Sequence, residues 1–442
     1  MQNTVGIVSL GCAKNRVDAE LMMYKLNQAG FRLVQDAAMA DAAIVNTCGF
    51  IESAKQESID EILELARLKK EGKIKAIIVT GCLAERYNSQ IMQQLHEVDA
   101  VIGIGKNADI AEVVRMALDG EKVEAFPDKH LLPLDGGRVQ STEHYWAYLK
   151  IADGCDNCCT YCAIPLIRGR FRSRRMEDIV TEAQRLVKNG VKEINVIAQD
   201  TTRYGEDNYG RLMLPELLNR LCEIDGLQWI RLLYCYPDRI TDDLLDVIRR
   251  QDKIVKYIDL PLQHCSGRIL KAMNRRGDRQ SLSALIRHIR ECIPGVVLRT
   301  TLITGFPTES ENDFEELSAF VEEMQFERLG CFAYSQEEDT PAALMDGQID
   351  EDVKQRRAEI IAEQEAVIMN EWCESVVGKE IDVLVDGFDR YAECWFGRSV
   401  YDAPEVDPCV FFTVSERKPR PGEMIRVRID DHIDCDLTGE MI

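Results

Sequence analysis

Residues 154–162 read GCDNCCTYC and contain three cysteines, Cys155, Cys159 and Cys162, in the spacing C-x3-C-x2-C. Because the three thiols lie on one short loop, they can bind three corners of an iron–sulfur cubane without the entropic cost of closing a long loop. Four cysteines are usual for such a cluster, so a trio leaves one iron with an open position for catalysis. Cys158 lies off this spacing and receives no role. The alternatives are a zinc knuckle or a reactive thiol cluster.

The sequence around this loop alternates between predicted strands and helices. Six short apolar runs between helical stretches are predicted strands: AYLKIAD, INVIAQD, WIRLLYCYP, KYIDLPLQ, VVLRTTLITGFP and RLGCFAYS. Right-handed crossovers roll such units into a barrel. We therefore predict a partial (β/α)6 barrel of the TIM type over residues 143–374, with the cysteine loop directly after its first strand.

Two further regions flank the predicted barrel. TVGIVSL, AAIVNT, KAIIVT and VDAVIGI alternate with helical patterns, which predicts an N-terminal doubly wound parallel α/β domain over residues 1–125. The Pro- and Gly-containing segment 126–142 is a predicted linker. From about Ser375, short strands follow at roughly ten-residue spacing, which predicts a small antiparallel β-barrel over residues 375–442.

A second set of three cysteines lies in the N-terminal region. Cys12, Cys48 and Cys82 each follow a predicted strand, with nearly equal separations of 36 and 34 residues. The carboxyl ends of parallel strands lie on one edge of a sheet, where α/β sheets bind ligands. Three soft ligands at that edge suit zinc or an iron–sulfur cluster. The alternative is three buried cysteines with no ligand.

Composition narrows the class of protein. The chain has 442 residues, 16 cysteines and a net charge of −22. It has no signal peptide pattern and no apolar run long enough to span a membrane, so we expect a cytoplasmic protein whose cysteines remain reduced. A disulfide scaffold and a membrane protein are therefore disfavoured. The acidic balance also disfavours a generic nucleic-acid binder.

The C-x3-C-x2-C spacing, with Tyr161 before the last cysteine, resembles the radical S-adenosylmethionine (SAM) superfamily. The resemblance implies that the open iron binds SAM, whose one-electron cleavage gives a 5′-deoxyadenosyl radical that abstracts a hydrogen atom. It also implies that Tyr161 lies against the adenine, and that Gly305, in LITGFP, belongs to the segment that approaches the adenosine. Because the cofactor performs the chemistry, no side chain is assigned a catalytic role.

The three regions together resemble the radical SAM methylthiotransferases over nearly the whole chain. In that family an N-terminal domain holds a second cluster, the central domain is the radical SAM barrel, and the C-terminal domain is a small OB-like barrel called TRAM. The resemblance implies two [4Fe–4S] clusters and SAM as cofactors. It also implies six metal ligands: Cys12, Cys48, Cys82, Cys155, Cys159 and Cys162.

Four stretches select a branch of this family. SLGCAKNRVDAE, NTCGFIESAKQESI, IPLIRGRFRSR and GRSVYDAPEVD resemble the ribosomal protein S-twelve methylthiotransferases of the RimO type. The transfer RNA branch of the MiaB type usually has GCQMN at the first site. Ala19 stands where the family usually has serine, and Thr308 replaces a glycine of its GFPGET motif.

The branch implies methylthiolation of the β-carbon of an aspartate in ribosomal protein S-twelve, free or in the small subunit. It further implies an external electron donor and a sulfur source, with no membrane and no stable nucleic-acid binding. Residues 375–442 hold 15 acidic and 8 basic residues, which suits a basic protein partner, although a merely solubilising surface fits equally well.

Three alternatives stay open. They are a transfer RNA methylthiotransferase, a non-catalytic two-cluster electron carrier and a zinc-stabilised scaffold. Between Arg168 and Arg175, five of eight residues are arginines. We expect this run to pair with the SAM carboxylate or an acidic substrate group, and a solvated basic loop is the alternative.

Overall fold

The computed structural model of the chain describes residues 2–415 and 417–442. Its first region is a six-stranded parallel sheet with the order β2-β1-β3-β4-β5-β6, which confirms the predicted doubly wound domain. The strands are β1 (Thr4–Ser9), β2 (Arg32–Val34), β3 (Ala42–Thr47), β4 (Ala76–Gly81), β5 (Ala100–Ile102) and β6 (Val123–Ala125). The helices are α1 (Ala13–Gln28), α2 (Glu52–Lys70), α3 (Cys82–Tyr87), α4 (Ser89–Gln94) and α5 (Ile110–Leu118).

Both faces of this sheet are buried. Ile44 and Ile78 point into an apolar core with α1 and α5, while the next residues along each strand, Val45 and Val79, point into a second core with α2 and α3. Successive strand side chains face opposite sides, so β-branched residues at every position suit a sheet that helices cover twice. The edge strands β2 and β6 were not predicted, because each has only three residues and little apolar character.

The central region is a six-stranded parallel sheet with the order β7-β10-β11-β12-β13-β14. Its first and last strands do not pair, which confirms a partial barrel. The strands are β7 (Trp146–Lys150), β8 (Ala152–Asp153), β9 (Arg172–Ser173), β10 (Glu193–Ile197), β11 (Trp229–Leu232), β12 (Ile254–Asp259), β13 (Val297–Thr304) and β14 (Arg328–Ala333), with β8 and β9 forming a separate antiparallel pair. The helices are α6 (Ile164–Arg168), α7 (Met176–Lys188), α8 (Leu214–Cys222), α9 (Asp242–Arg250), α10 (Gly267–Ala272), α11 (Arg279–Cys292) and α12 (Glu311–Met324).

A long helix, α13 (Glu351–Val376), connects the barrel to the last region. It packs against β14 and α12, and the buried Ile361 and Ile368 join the main core of the barrel. In the parts of the chain that the structure describes, neither this helix nor any other has the length and apolar character needed to cross a membrane.

The last region is a closed five-stranded barrel. Its strands are β15 (Glu380–Asp389), β16 (Cys394–Ser399), β17 (Val410–Thr413), β18 (Met424–Ile433) and β19 (Asp436–Met441). Four neighbouring pairs are antiparallel, but β17 and β19 pair in parallel, so the barrel departs from the predicted fully antiparallel arrangement at this one seam. The strand β19 was not predicted, because DLTGEM is mostly polar and contains a glycine.

The stretch GRSVYDAPEVD, residues 397–407, attaches this small barrel to the inner face of the central sheet. Asp402 forms an ion pair of 2.9 Å with Arg328, and Asp407 accepts a hydrogen bond of 2.6 Å from Tyr257. Because these groups are buried, the contact is specific and costly to break. Glu405 also accepts a hydrogen bond of 2.9 Å from Tyr148. The acidic residues of the C-terminal region are therefore partly structural, since three of them serve this interface.

Candidate functional site

The first sheet brings Cys12, Cys48 and Cys82 together at its carboxyl edge. They follow β1, β3 and β4, which are neighbours in the sheet. Gly11 precedes the first of them with φ +82°, and a Cβ built there would lie 2.7 Å from the Cys48 Sγ. Only glycine therefore allows the chain to turn so close to the second cysteine.

The second trio lies on the loop between β8 and α6. The Cys162 Sγ accepts the backbone N–H of Ile164 at 3.5 Å, and Arg275 contacts the Cys159 Sγ at 3.8 Å. Cys158 has φ 50°, is exposed and does not belong to the lining of the adjoining cavity. The left-handed residue turns the chain between Cys155 and Cys159, so that the fourth cysteine of the loop points elsewhere.

Both trios line the same cavity, which has a volume of about 370 Å³ and contains no carboxylate among its lining residues. A second cavity of about 1040 Å³ adjoins it and shares Phe50, Tyr161, Gln263 and Thr301 with it. The six predicted metal ligands thus surround one space between the N-terminal region and the mouth of the barrel. The larger space lies beside the barrel strands β13 and β14.

The thiols differ in acidity. Burial raises the pKa of the Cys82 thiol to about 12 and that of Cys155 to about 12. Burial also raises the pKa of Cys12, but the nearby charges of Lys14 and Arg168 outweigh it and the net pKa is lowered. The Cys12 side chain is exposed to the cavity while protein surrounds it on its other sides. Metal coordination deprotonates such thiols outright.

Each trio supplies three soft thiolate ligands, a donor set that suits an iron–sulfur cluster. Each trio also has an arginine beside a sulfur, Arg168 at 3.5 Å from the Cys82 Sγ and Arg275 at Cys159, which suits anionic sulfur.

A buried ionic cluster connects the two trios. Asp18 of α1 pairs with both Lys150 and Arg168 of the central region, and Asp153 lies 3.4 Å from each of the same two cations. Arg168 also donates a hydrogen bond of 3.0 Å to the Asn15 Oδ1. Lys150 and Arg168 hold the pKa of Asp153 well below its usual range, although burial acts in the opposite direction. The cluster therefore fixes the N-terminal region on the barrel mouth.

The arginine run was expected to act near the site, for example by pairing with the SAM carboxylate or an acidic substrate group. Arg168 does line the cavity, and its guanidinium pairs with Asp18 and Asp153 of the protein itself. Arg174 is likewise buried and pairs with Asp135 and Glu182 at 2.6 Å each. Arg168 and Arg174 thus each pair with two carboxylates of the protein itself.

The remaining arginines of the run lie toward the surface. The side chains of Arg170 and Arg175 are 82% and 76% exposed. Arg172 is half-buried and donates to the backbone carbonyl of His130 at 2.6 Å, which ties the 126–142 segment to the barrel. The run is therefore mixed: some of its arginines are buried in ion pairs and others are exposed to solvent.

The structure separates the two residues predicted to contact SAM. Tyr161 lines both cavities. Gly305 has φ +71° and lines neither of them, and a Cβ built there would lie 2.2 Å from the Cγ of Lys354 in α13. The glycine therefore allows α13 to pack against the end of β13, and the structure gives it no direct place at the cavity wall.

Several residues at the cavity wall were not predicted. Lys14, Tyr234, Gln263 and Arg275 line it, and Cys235, expected only in the core, also borders it. Tyr234 and Gln263 have positive φ angles of 60° and 72°, which are uncommon for residues other than glycine and are enriched at functional sites. Of these residues, only Lys14 could have been predicted from the sequence, because it lies two residues after Cys12 in SLGCAKN.

Comparison with known proteins gives three family matches and close relatives. Residues 4–103 match the uncharacterized protein family UPF0004, residues 149–321 the radical SAM superfamily, and residues 377–442 the TRAM domain. The chain is 48% identical over 437 residues to the ribosomal protein uS12 methylthiotransferase RimO of Thermoanaerobacter sp. strain X514, with 99% of both chains covered. It is 49% identical to the protein of the same name from Desulforamulus reducens, again with 99% of both covered.

A solved structure supports the fold alone. The radical S-adenosylmethionine methyltransferase TsrM from Kitasatospora setae, with cobalamin and a [4Fe-4S] cluster bound, superposes with a TM-score of 0.55 at 13% identity. The match covers 78% of this chain and 77% of that one. The chain therefore shares its large-scale architecture with a radical SAM protein of very different sequence.

Proposed function

Because the chain belongs to the RimO family of ribosomal protein uS12 methylthiotransferases, we propose that it replaces a β-carbon hydrogen of an aspartate in uS12, the S-twelve protein, with a methylthio group. It is a radical SAM enzyme, with two [4Fe–4S] clusters and SAM as cofactors. The β-hydrogen of an aspartate is not acidic enough for an ordinary base. Radical chemistry is the reaction class that such a carbon requires.

The observation that carries this proposal is the single cavity lined by all six cysteines. We assign Cys12, Cys48 and Cys82 to one cluster, and Cys155, Cys159 and Cys162 to the cluster that binds SAM. When bound, these groups supply the electron, the hydrogen-abstracting radical and the route for sulfur. With both sets of ligands around one space, one substrate carbon can be reached from both sides without moving between sites.

The chain's own residues position and enclose the reactants. Phe50 and Tyr161 stand where the smaller cavity meets the larger one, and we assign Tyr161 to the adenine of SAM. The aromatic and apolar side chains of Tyr234, Tyr236 and Ile164 also line the smaller cavity. They exclude water from the space between the trios, which protects a radical from side reactions.

We propose uS12 as the protein partner, with an external electron donor and a sulfur source. The proposal draws support from the acidic C-terminal barrel, because ribosomal proteins are basic. The arginine run gives no support to transfer RNA, since two of its members are buried in ion pairs with protein carboxylates.

Mass analysis of uS12 from cells that lack this gene tests the proposal. We expect the methylthio group to disappear and to return when the intact gene is supplied on a plasmid. The methylthio nucleosides of transfer RNA from the same cells serve as the control and should not change. Unchanged uS12 in the deletion strain would overturn the proposal, and loss of the transfer RNA modification instead would favour the other branch.

A further inference from the structure

The charged residues that line the cavity between the two trios are all positive. Lys14, Arg168 and Arg275 line it, and none of the lining residues is an aspartate or a glutamate. Such surroundings favour anionic contents, because fixed positive charges attract negative groups strongly where water is excluded. Clusters with thiolate ligands are one such content, and an aspartate side chain is another.

Two of these cations are already engaged. Arg168 pairs with Asp18 and contacts the Cys82 Sγ at 3.5 Å. Arg275 contacts the Cys159 Sγ at 3.8 Å and donates a hydrogen bond to a backbone carbonyl at 2.6 Å. Each arginine thus belongs to one trio and to the protein framework around it.

Lys14 differs from both arginines. Within the described ranges its ammonium makes no hydrogen bond and no ion pair, and its Nζ lies 3.3 Å from the centroid of the Tyr234 ring. Its residue exposure is only 7%, and what remains accessible faces the cavity. The Cys12 thiol and the Asp259 carboxyl are the acidic neighbours whose charges act on Lys14 besides Tyr234. Asp259 is itself engaged by Arg299 at 3.1 Å and by the backbone N–H of Tyr234 at 2.9 Å.

Lys14 therefore has charged neighbours but no hydrogen-bond acceptor, and contact with an aromatic ring leaves its N–H donors unused. The structure keeps Lys14 in this state at the wall of the reaction space. An arriving carboxylate would give the ammonium its missing partner, with a charge-assisted hydrogen bond in a site that excludes water.

We propose that Lys14 binds the side-chain carboxylate of the substrate aspartate. This inference rests on the proposed function and adds a specificity-determining residue to it. The carboxyl carbon is bonded directly to the β-carbon, so holding the carboxylate places the reacting C–H bond between the trios. In the GCQMN motif of the transfer RNA branch, the aligned residue is methionine, which carries no charge for a neutral base.

Two substitutions, one on each partner, test the contact. Binding and KM are measured for the reconstituted holoenzyme and its Lys14→Met variant, each with uS12 and with uS12 whose target aspartate is changed to asparagine. We expect the wild-type enzyme to bind the asparagine form about tenfold or more weakly, because its buried cation is left unpaired. Lys14→Met should bind the aspartate form equally weakly and should no longer distinguish the two forms.

Three further measurements separate this role from others. Iron content is measured in Lys14→Met, and loss of iron would show a cluster-supporting role and overturn the inference. Lys14→Arg keeps a cation and should retain part of the discrimination. Lys70→Met removes an exposed lysine, 71% accessible at its side chain, and should match the wild type.

The outcomes also separate the inference from the proposed function. A wild-type enzyme that does not modify uS12 overturns the proposed function. A wild-type enzyme that modifies uS12 but binds the aspartate and asparagine forms equally overturns only the role of Lys14. That second result needs no variant of the enzyme, so it stays decisive even if Lys14→Met fails to fold.

Discussion

The two cysteine trios reach the same cavity by opposite routes. Cys155, Cys159 and Cys162 lie on one loop, so local sequence alone brings them together. The N-terminal trio comes from three strands, with 36 and 34 residues between successive cysteines, and depends on the whole sheet. A local site tolerates change elsewhere, whereas a dispersed site is only as stable as the fold that assembles it. This difference predicts that each trio can lose its cluster while the other keeps its own, and that different substitutions cause the two losses.

The sharpest test removes one ligand from each trio. Cys159→Ala should abolish 5′-deoxyadenosine formation, because the cluster that binds SAM loses a ligand. Cys48→Ala should leave SAM cleavage measurable but stop methylthiolation of uS12. Product analysis by mass spectrometry, with anaerobic iron counts falling from about eight to about four per chain in each variant, measures both effects.

Each of these variants is the control for the other. Separate roles for the two trios are contradicted if SAM cleavage falls to the same extent in both variants, since the trios would then act as one unit. They are also contradicted if Cys48→Ala still methylthiolates uS12, because the N-terminal trio would then have no part in sulfur transfer.

The next largest effect concerns the ionic cluster between the trios. Asp18→Asn leaves Lys150 and Arg168 without one of their two buried carboxylates, and breaking such a group typically costs about 3–5 kcal/mol. We expect the N-terminal region to unfold at lower denaturant concentration, followed by hydrogen exchange of its amides, and its cluster to be lost before the other. Asp60→Asn, at an exposed position of α2, should change stability by less than about 0.5 kcal/mol. Equal loss of both clusters in Asp18→Asn would contradict the separation.

A smaller and more selective effect is expected at the two arginines. Arg168 contacts the Cys82 Sγ and Arg275 contacts the Cys159 Sγ. Replacing either with lysine keeps the charge but removes the planar fork, which weakens the hydrogen bond to sulfur and stabilises the reduced cluster less. Arg168→Lys should therefore lower the midpoint potential of the N-terminal cluster alone, and Arg275→Lys that of the other. A redox titration monitored by electron paramagnetic resonance measures the potential of each cluster. A shift of both potentials in either variant would contradict the prediction.

The sequence predicted each cysteine trio, but it did not predict that both trios line one cavity. The convergence of Cys12, Cys48 and Cys82 followed from the βα rule, because strand ends share an edge in a parallel sheet. The common cavity depends on contacts such as that between Asp18 and Lys150, which are 132 residues apart. No local pattern identifies which of many carboxylates a lysine will find.

Other limits of prediction have similar physical causes. Arg168 belongs to the run that was expected to act near the site, because that run forms a motif beside the cluster loop. Its actual partner comes from another region of the chain. The strands β2, β6 and β19 were missed because short or polar strands are stabilised by the sheet they join rather than by their own residues.

The smallest expected effect lies inside the second trio. Cys158 is adjacent to Cys159 in sequence, yet its left-handed backbone and exposed side chain keep it out of the cavity wall. Cys158→Ala should leave iron content, SAM cleavage and methylthiolation within about twofold of the wild type, because an exposed side chain away from the site contributes little. Iron counts and product yields should be measured beside Cys155→Ala, where both should fall. A Cys158→Ala variant as defective as Cys155→Ala would mean that four thiols of this loop serve the cluster, and the open iron position expected from a trio would be gone.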